Sequence, residues 1–413
     1  MVSTAEIAGF SAEVAYERLP EDVREAAKRR ILDAVGASLR DGDAAQSEAI
    51  RRTVAGTSDT CRLWGSTANA SAADAAMANA AAIESANSPV FLSPKLSTPS
   101  GAIAAVLAAA ERRDTPGEET LAALAAALEI QGELAWNAPL DEFHPATHGT
   151  VAATAGVGRA IGLDTEELAH AIGMAASRMA LELEDARYTP LASGFGASNA
   201  VRSCLLADHG VESPDSLAAP NGWHDIVGPF DLDLDPGCER VRDAAVLPYD
   251  AHPYGQPTIE AAIELAGETP IDPADIETVL VETFGNATPV LDPERIAAAL
   301  VDRELFVHRS GRVDLEPIVE NVEIVATDEF TDRMDDGTFP SRLVVETRGE
   351  TDYEAIADRF DGHPTVAASW GTVEEKFRAL SDGVYDRTRR DAIVETVRSF
   401  EAETATELAR LLD

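Results

Sequence analysis

The stretch SGAIAAVLAAAER, residues 100–112, decides the fold class, because a serine precedes an alanine-rich body that is free of prolines. Alanine has the highest helix propensity, and a serine before such a run typically caps a helix. A second alanine-rich run follows at residues 122–127. Small side chains let neighbouring helices approach closely, so the two runs predict a helical bundle.

Similar signals extend over the first 245 residues. A helix is predicted to start near Pro20, because acidic residues in its first turn precede apolar residues at helical spacing. Further helices are predicted at residues 71–86, 118–136, 150–161, 165–175 and 198–209. We therefore expect a mainly α protein with a large all-helical domain over residues 1–246.

The pattern changes after Leu247, where β-branched segments alternate with helical ones. Strands are predicted at residues 278–284, 322–326 and 341–346, and helices at residues 258–266, 293–300 and 373–380. A chain of 413 residues exceeds what one core usually supports, so residues 247–386 are expected to form a smaller α+β domain. Residues 387–413 are predicted to return to the helical domain, with one helix over residues 389–412.

The charge of the chain is strongly negative. The formal net charge is −40, and the only lysines are Lys28, Lys95 and Lys376. Because the carboxylates are spread along the whole chain, a surface adapted to concentrated salt is expected. Nucleic acid is not an expected partner, since phosphate backbones require cationic surfaces.

The spacing of the cysteines and the length of the apolar runs indicate the cellular compartment of the protein. Cys61, Cys204 and Cys238 are widely spaced and form no CxxC motif, so a reducing compartment is expected. Residues 1–10 lack the pattern of a secretory leader, and no apolar run reaches about 18 residues. We expect a soluble, cytoplasmic protein with no membrane partner.

Two histidines stand out in FHPATHGT, residues 143–150. They precede the helix predicted from Thr150, whose first N–H groups favour an anion, and histidine exchanges protons near neutral pH. His144 and His148 are therefore candidates for proton transfer on an anionic substrate. The alternative is that His144 caps a loop and His148 lies in the core. No metal site is expected, because HxxxH lacks the glutamate of HExxH and a third ligand.

Two further segments carry candidate polar residues. His252 lies in LPYDAHPYGQPT, residues 247–258, where the two predicted domains meet; it is either a residue of a cleft between them or a solvated loop residue. Asn87, Lys95 and Thr98 lie in a polar loop whose last residues also fit a helix cap. The GxGxxxG at residues 156–162 lies within a helix pattern, so a dinucleotide cofactor is excluded and no cofactor is expected.

Six short motifs, taken in order, resemble the landmarks of the MmgE/PrpD family. They are NAAAIESAN at residues 79–87, TPSGA at 98–102, FHPAT at 143–147, GLD at 162–164, PLASG at 190–194 and AHPYGQ at 251–256. The similarity runs from about residue 5 to residue 380. Members include 2-methylcitrate dehydratase and cis-aconitate decarboxylase. The resemblance implies a large all-α domain, a smaller α+β lid domain and a homodimer.

Several catalytic positions of that family are altered here. Two of its three histidines match His144 and His252, but its leading aspartate falls on Asn87 and the third histidine, that of its HPS segment, falls on Thr98. Its two lysines fall on Thr189 and on Leu247, and no tyrosine lies at residues 292–295. Abstraction of a proton next to a carboxylate needs donors or cations that stabilise the developing charge, so these replacements affect the chemistry directly.

The resemblance implies a cofactor-independent lyase that acts on a small carboxylic acid. His144 and His252 would be its catalytic residues, and the substrate-binding residues would be Asn87, Lys95, Thr98, His148 and Thr189. Two alternatives remain open at this point. One is a non-catalytic paralogue that binds a small acid or a partner protein, and the other is an epimerase of the same family.

Overall fold

The computed structural model divides the chain into two compact units. It describes residues 1–40, 44–58, 60–86, 88–138, 143–183, 187–268, 271–334, 337–349 and 352–413. Unit 1 consists of Met1–Ala244 together with Leu380–Asp413, and unit 2 consists of Ala245–Ala379.

Unit 1 is built from helices. They are α1 (Thr4–Glu13), α2 (Glu21–Ser38), α3 (Ala44–Val54), α4 (Ala72–Glu84), α5 (Ser100–Arg113), α6 (Gly117–Asn137), α7 (Ala146–Ile161), α8 (Thr165–Ala176), α9 (Tyr188–Asp208) and α10 (Trp223–Ile226). Short strands interrupt them at β1 (Cys61–Arg62), β2 (Asn69–Ala70) and β3 (Val90–Phe91), and β4 (Ala244–Ala245) follows α10. The prediction of a mainly α protein is confirmed.

The alanine-rich helices form the core of unit 1. Helices α4, α5, α6, α7 and α9 pack on one another, and the alanines of α5 and α6 are buried. Glycine is required where helices come closest: a Cβ at Gly194 of α9 would lie 2.9 Å from the main-chain oxygen of Met77 in α4. This close packing holds α4, α7 and α9 around the candidate site.

Two helices begin earlier than the sequence pattern predicts. Helix α7 begins at Ala146 rather than at Thr150, because Pro145 provides a favourable start. The prediction that the N–H groups at Thr150 are free for an anion is therefore wrong, since Thr150 lies in the second turn of α7. Helix α9 begins at Tyr188 rather than at residue 198, and the glycines at 194 and 196 conceal its first turns in the sequence.

Unit 2 contains a four-stranded sheet covered by helices. Its helices are α11 (Gln256–Glu268), α12 (Pro293–Asp302), α13 (Glu316–Val319), α14 (Asp328–Arg333) and α15 (Trp370–Leu380), the last of which ends at the unit boundary. Its strands are β5 (Ile276–Thr283), β6 (Val322–Ala326), β7 (Ser341–Thr347) and β8 (Asp352–Ala357). The strand order is β6-β5-β7-β8, with β5 and β6 parallel and the other pairs antiparallel.

The three predicted strands are present as β5, β6 and β7, whereas β8 was not predicted. Its sequence DYEAIA carries two acidic residues, and it lies at the edge of the sheet, where half of its side chains are exposed. The apolar alternation on which a strand prediction depends is therefore weak in this segment.

The prediction of one continuous C-terminal helix over residues 389–412 is wrong. The segment forms α16 (Arg387–Arg398) and α17 (Ala405–Leu411), and Thr404 starts the second helix with a capping box to Glu407. Contacts within unit 1 hold this region in place, since Lys28 Nζ donates to the main-chain oxygen of Arg398 at 2.8 Å.

Among the described residues, no helix combines the length and apolarity that crossing a membrane requires.

Candidate active site

His144 lies just before α7 and is held there by its main chain and its ring. Its N–H donates to the Ala180 oxygen at 2.9 Å, and its Nδ1 accepts from the Ala146 N–H at 3.1 Å. The side chain is buried, and burial lowers its pKa below the usual range. Because Nδ1 accepts a main-chain hydrogen bond, the neutral ring carries its proton on Nε2. His144 therefore presents an N–H donor rather than a free lone pair.

An ion pair and an aromatic ring lie beside His144. Lys95 Nζ contacts Glu182 Oε2 at 2.6 Å, and both charges act on the pKa of His144, where Glu182 raises it and Lys95 lowers it. The ring of Tyr188, from the start of α9, meets the ring of His144 edge-on with centroids 5.9 Å apart. The charge of the predicted substrate-binding residue Lys95 thus acts on the predicted catalytic residue His144.

Thr98 belongs to a second polar cluster, which is centred on Glu84 at the end of α4. Glu84 Oε2 accepts hydrogen bonds from the hydroxyls of Thr98, Ser100 and Ser193, the last at 3.0 Å. Burial raises the pKa of Glu84, and the three hydroxyls lower it by a smaller amount. Sequence reasoning missed Glu84, although an acidic residue that closes the apolar run AAAI of α4 is a usable signal.

Helix α6 holds in place the loop 91–98, which lies between the Lys95–Glu182 ion pair and the hydroxyl cluster around Glu84. Phe91 and Ser97 exchange main-chain hydrogen bonds at 2.8 and 3.0 Å, which closes the loop that carries Lys95. Gln131 Nε2 donates to Ser97 Oγ at 3.0 Å and to the Thr98 oxygen at 2.9 Å. Gln131 is fully buried, and its Oε1 has no hydrogen-bond partner among the described residues.

The other predicted substrate-binding residues of unit 1 occupy different environments. His148 is buried in α7 beside Trp223, and burial lowers its pKa to about 3. Its Nε2 has no partner within the described part of the chain. Thr189 is half-buried in the first turn of α9. Asn87 lies outside the described residues.

His252 belongs to unit 2, where it precedes a short turn and α11. Its Nδ1 accepts from the Tyr254 N–H at 3.2 Å, and its ring meets that of Tyr254 edge-on at 4.8 Å. Burial lowers its pKa to about 4. Its neutral ring therefore also carries the proton on Nε2, as at His144. Leu247, at a lysine position of the family, is buried.

A cavity of about 470 Å³ lies in unit 1 between α4, α7 and α9. Tyr188 lines it, and so do two cationic residues, Arg178 and Arg202. Arg202 pairs with Asp74 at 2.9 Å, whereas Arg178 is exposed and forms no ion pair with any described residue. In a chain of net charge −40 this concentration of positive charge favours a small anion.

The cysteines bear on nucleophilic chemistry, and the arrangement of histidines, cysteines and carboxylates bears on metal binding. All three cysteines are buried, and burial raises their pKa values, to about 12 at Cys61, so they lack the thiolate that a nucleophile requires. Within the described ranges, no group of three or more histidines, cysteines or carboxylates is arranged to hold a metal ion.

The fold and the site define a mainly helical protein whose helical unit holds a neutral histidine, an ion pair and a carboxyl bound by three hydroxyls. The MmgE/PrpD N-terminal domain matches residues 5–231, and the MmgE/PrpD C-terminal domain matches residues 249–402. Together these matches cover most of the chain, so the chain belongs to the MmgE/PrpD family.

Proposed function

We propose that the protein is a cofactor-independent lyase or isomerase that acts on a small carboxylic acid, by removing a proton from the carbon next to a carboxylate. Membership of the MmgE/PrpD family favours lyase-type chemistry. The observation that carries the proposal is the buried, neutral His144 beside the Lys95–Glu182 ion pair. These groups are suited to bind an anion and to stabilise charge that develops on it.

The tautomer of His144 sets its role in the proposed reaction. Removal of a proton next to a carboxylate moves the electrons of the C–H bond onto the carboxylate oxygens and produces an enediolate. A neutral imidazole with its proton on Nε2 donates a hydrogen bond to such an oxygen, and a buried donor of this kind contributes about 3 kcal/mol. His144 thus stabilises the enediolate, and its expected role in proton transfer is replaced by that of a hydrogen-bond donor.

The cavity beside Tyr188 supplies the remaining binding interaction. A substrate with a second carboxylate places it near the guanidinium of Arg178, which is exposed and not engaged in an ion pair with the described residues. The ring of Tyr188 contacts that of His144, and Tyr188 also lines the cavity. In this proposal the small acid extends from His144 into the cavity. Arg178 and Lys95 then take over the anion binding for which the family uses lysines at the positions of Thr189 and Leu247.

Several expectations from the sequence remain part of this proposal. His252, with the same Nδ1 hydrogen bond as His144, acts as a second neutral donor. His148 and Thr189 contribute polar contacts to the substrate, as does Asn87. The protein works as a cytoplasmic homodimer in concentrated salt, where its charge of −40 is screened.

A non-catalytic paralogue is the second candidate. It is favoured by Thr189 and Leu247, which remove both cations of the family from the catalytic positions. Such a protein binds a small acid without exchanging protons with it. An epimerase, by contrast, incorporates solvent deuterium without loss of water or CO₂.

Binding and turnover of a panel of acids separate these possibilities. Malate, citrate, 2-methylcitrate and cis-aconitate are screened by thermal shift in concentrated KCl, and NMR then follows the acids that bind. We expect conversion by the wild type and a loss of about 100-fold or more in His144→Ala. His144→Gln retains an N–H donor and should keep part of the activity. His170, which bonds the main chain of Ser213 instead, provides the control His170→Gln. Binding without conversion supports the paralogue, and full activity of His144→Ala contradicts the proposal.

A further inference from the structure

The proposed reaction requires a base, and neither candidate histidine is arranged to be one. In both His144 and His252 the Nδ1 atom accepts a main-chain hydrogen bond, so the neutral ring offers Nε2–H and no free lone pair. Lys95 is occupied by Glu182. The proposed reaction therefore needs a base other than His144, His252 and Lys95.

Glu84 has the geometry that a general base needs. Its Oε2 is held by three hydroxyls that come from three parts of the fold: the loop residue Thr98, Ser100 at the start of α5 and Ser193 in α9. Its Oε1 forms no hydrogen bond with the described residues, and the side chain is partly exposed. One oxygen thus fixes the carboxylate in place, while the other has no hydrogen-bond partner in the described part of the chain with which a ligand would compete.

The same loop connects Glu84 to the environment of His144. Thr98, which donates to Glu84, follows Ser97, and the Phe91–Ser97 pairing closes the loop around Lys95. Lys95 in turn pairs with Glu182, and both act on the pKa of His144. The loop therefore links the carboxyl of Glu84 to the ion pair whose charges act on His144.

We propose that Glu84 is the catalytic base, with Oε1 removing the proton from the carbon next to the substrate carboxylate. The C–H electron pair moves into the enediolate, whose oxygen accepts a hydrogen bond from His144 Nε2. The protonated Glu84 then returns the proton to the carbon in an exchange or epimerisation, or to a leaving hydroxyl, which departs as water in a dehydration. The step needs no oxidant, reductant or metal ion. This inference rests on the proposed function and names the residue that performs its central step.

The ionisation of Glu84 is consistent with this role. The groups that act on its pKa in the described part of the chain are the hydroxyls of Thr98, Ser100 and Ser193, which lower it, while burial raises it. A carboxyl with a raised pKa is a stronger base than an exposed one, and efficient proton transfer requires a pKa near the working pH.

Glu129 in α6 provides a matched control. It is a buried glutamate whose pKa is likewise raised, but both of its oxygens accept main-chain hydrogen bonds, Oε1 from Asp235 at 3.1 Å and Oε2 from Arg240 at 2.8 Å. It has no free oxygen for a ligand. Both glutamates belong to unit 1 and have raised pKa values, whereas Glu84 alone is partly exposed and has an oxygen without a described hydrogen-bond partner.

The test measures solvent deuterium incorporation by NMR in D₂O and concentrated KCl, with the four acids named above as probes. We expect Glu84→Gln to lower the incorporation rate about 100-fold or more, while the thermal shift caused by the same acid is retained. The amide keeps an oxygen for the three hydroxyls but cannot exchange a proton. Glu129→Gln should retain the wild-type rate within about twofold, since its oxygens face the main chain.

A second variant keeps the test decisive if Glu84→Gln unfolds. Ser193→Ala removes one hydroxyl that stabilises the ionised carboxylate, so the pKa of Glu84 rises and the limb of the pH–rate profile that reports the base moves to higher pH. An unmoved profile, or a wild-type rate in a folded Glu84→Gln, overturns the role of Glu84 and leaves the proposed function intact. No incorporation by the wild type overturns the proposed function, and this inference with it.

Discussion

Glu84 and Glu129 are two glutamates of the same helical unit with opposite kinds of hydrogen-bond partner. The Oε2 of Glu84 accepts from side-chain hydroxyls, and its other oxygen is free of described partners. Both oxygens of Glu129 accept from main-chain N–H groups. Burial raises the pKa of each, to about 7 at Glu129. A raised pKa therefore does not by itself identify a catalytic carboxyl; the free oxygen distinguishes the two.

The difference follows from what each carboxyl holds in place. Hydroxyl hydrogens rotate, so the donors around Glu84 can adjust when its charge changes or a ligand binds. The donors around Glu129 belong to the segment 233–243, which contains no long helix or strand and is held against α6 by these bonds. Glu129 is accordingly a structural acceptor, and its loss should affect folding rather than chemistry.

The largest expected effect is on stability, in Glu129→Ala. The substitution removes the acceptor of the N–H groups of Asp235 and Arg240, whose hydrogen bonds to Glu129 are partly buried, at about 1–3 kcal/mol each, so the free energy of unfolding should fall by about 2–6 kcal/mol. Glu84→Ala should cost less, about 1–2 kcal/mol, because its hydroxyls can find other acceptors. Denaturant titration in concentrated KCl measures both. An equal loss of unfolding free energy in the two variants would contradict the distinction between Glu129 as a structural acceptor and Glu84 as a catalytic residue.

A smaller effect is expected on the pH dependence of stability. The pKa of Glu129 is about 7 in the folded protein, above its usual value of 4.5, because burial, with a contribution from Glu133, opposes ionisation more than Arg240 and Asp235 favour it. The folded state then binds the proton more tightly, and its stability falls as the pH rises from about 4.5 to about 7. Relative to Glu129→Gln, the wild type should lose about 2 kcal/mol of unfolding free energy between pH 5 and pH 8. A difference that does not change with pH would contradict the raised pKa.

The smallest effect is expected at the cavity, where binding should separate from proton transfer. Arg178→Ala should raise the KM for a dicarboxylate about three- to tenfold and leave kcat within about twofold, since an exposed guanidinium contributes about 1 kcal/mol to a carboxylate. Steady-state kinetics on malate or citrate measures this split. Arg113→Ala is the control, because Arg113 pairs with Asp208 on the exposed surface. A fall in kcat alone would assign Arg178 to the chemistry instead.

Local patterns in the sequence were sufficient to predict the helical fold. The alanine-rich runs correspond to α4, α5 and α8, because helix propensity acts over a few residues. Ser71 caps α4, but the prediction of a serine cap at α5 is wrong, since Ser100 is the first residue of that helix and Pro99 precedes it without a side-chain cap. Predictions failed where tertiary packing outweighs propensity, as in α9, whose glycines pack against neighbouring helices. The continuous C-terminal helix failed because Thr404 provides a new start that is stronger than the apolar periodicity.

The candidate site was less accessible to sequence reasoning. His144 and Lys95 were named, and the charge of Lys95 acts on His144, but the tautomer of His144 depends on a main-chain N–H that only the folded structure positions. Glu84 was missed because its significance arises from Thr98, Ser100 and Ser193, which are up to 109 positions away in the chain. Contacts over such distances leave no local pattern.

Solvent deuterium incorporation is the most direct test of proton transfer on a small carboxylic acid. The measurement compares the wild type, His144→Ala, Glu84→Gln and Glu129→Gln on the same acid in D₂O. The account predicts incorporation by the wild type and by Glu129→Gln, and a loss of about 100-fold or more in the other two. Incorporation at the wild-type rate in folded His144→Ala and Glu84→Gln, or none by the wild type, would contradict it.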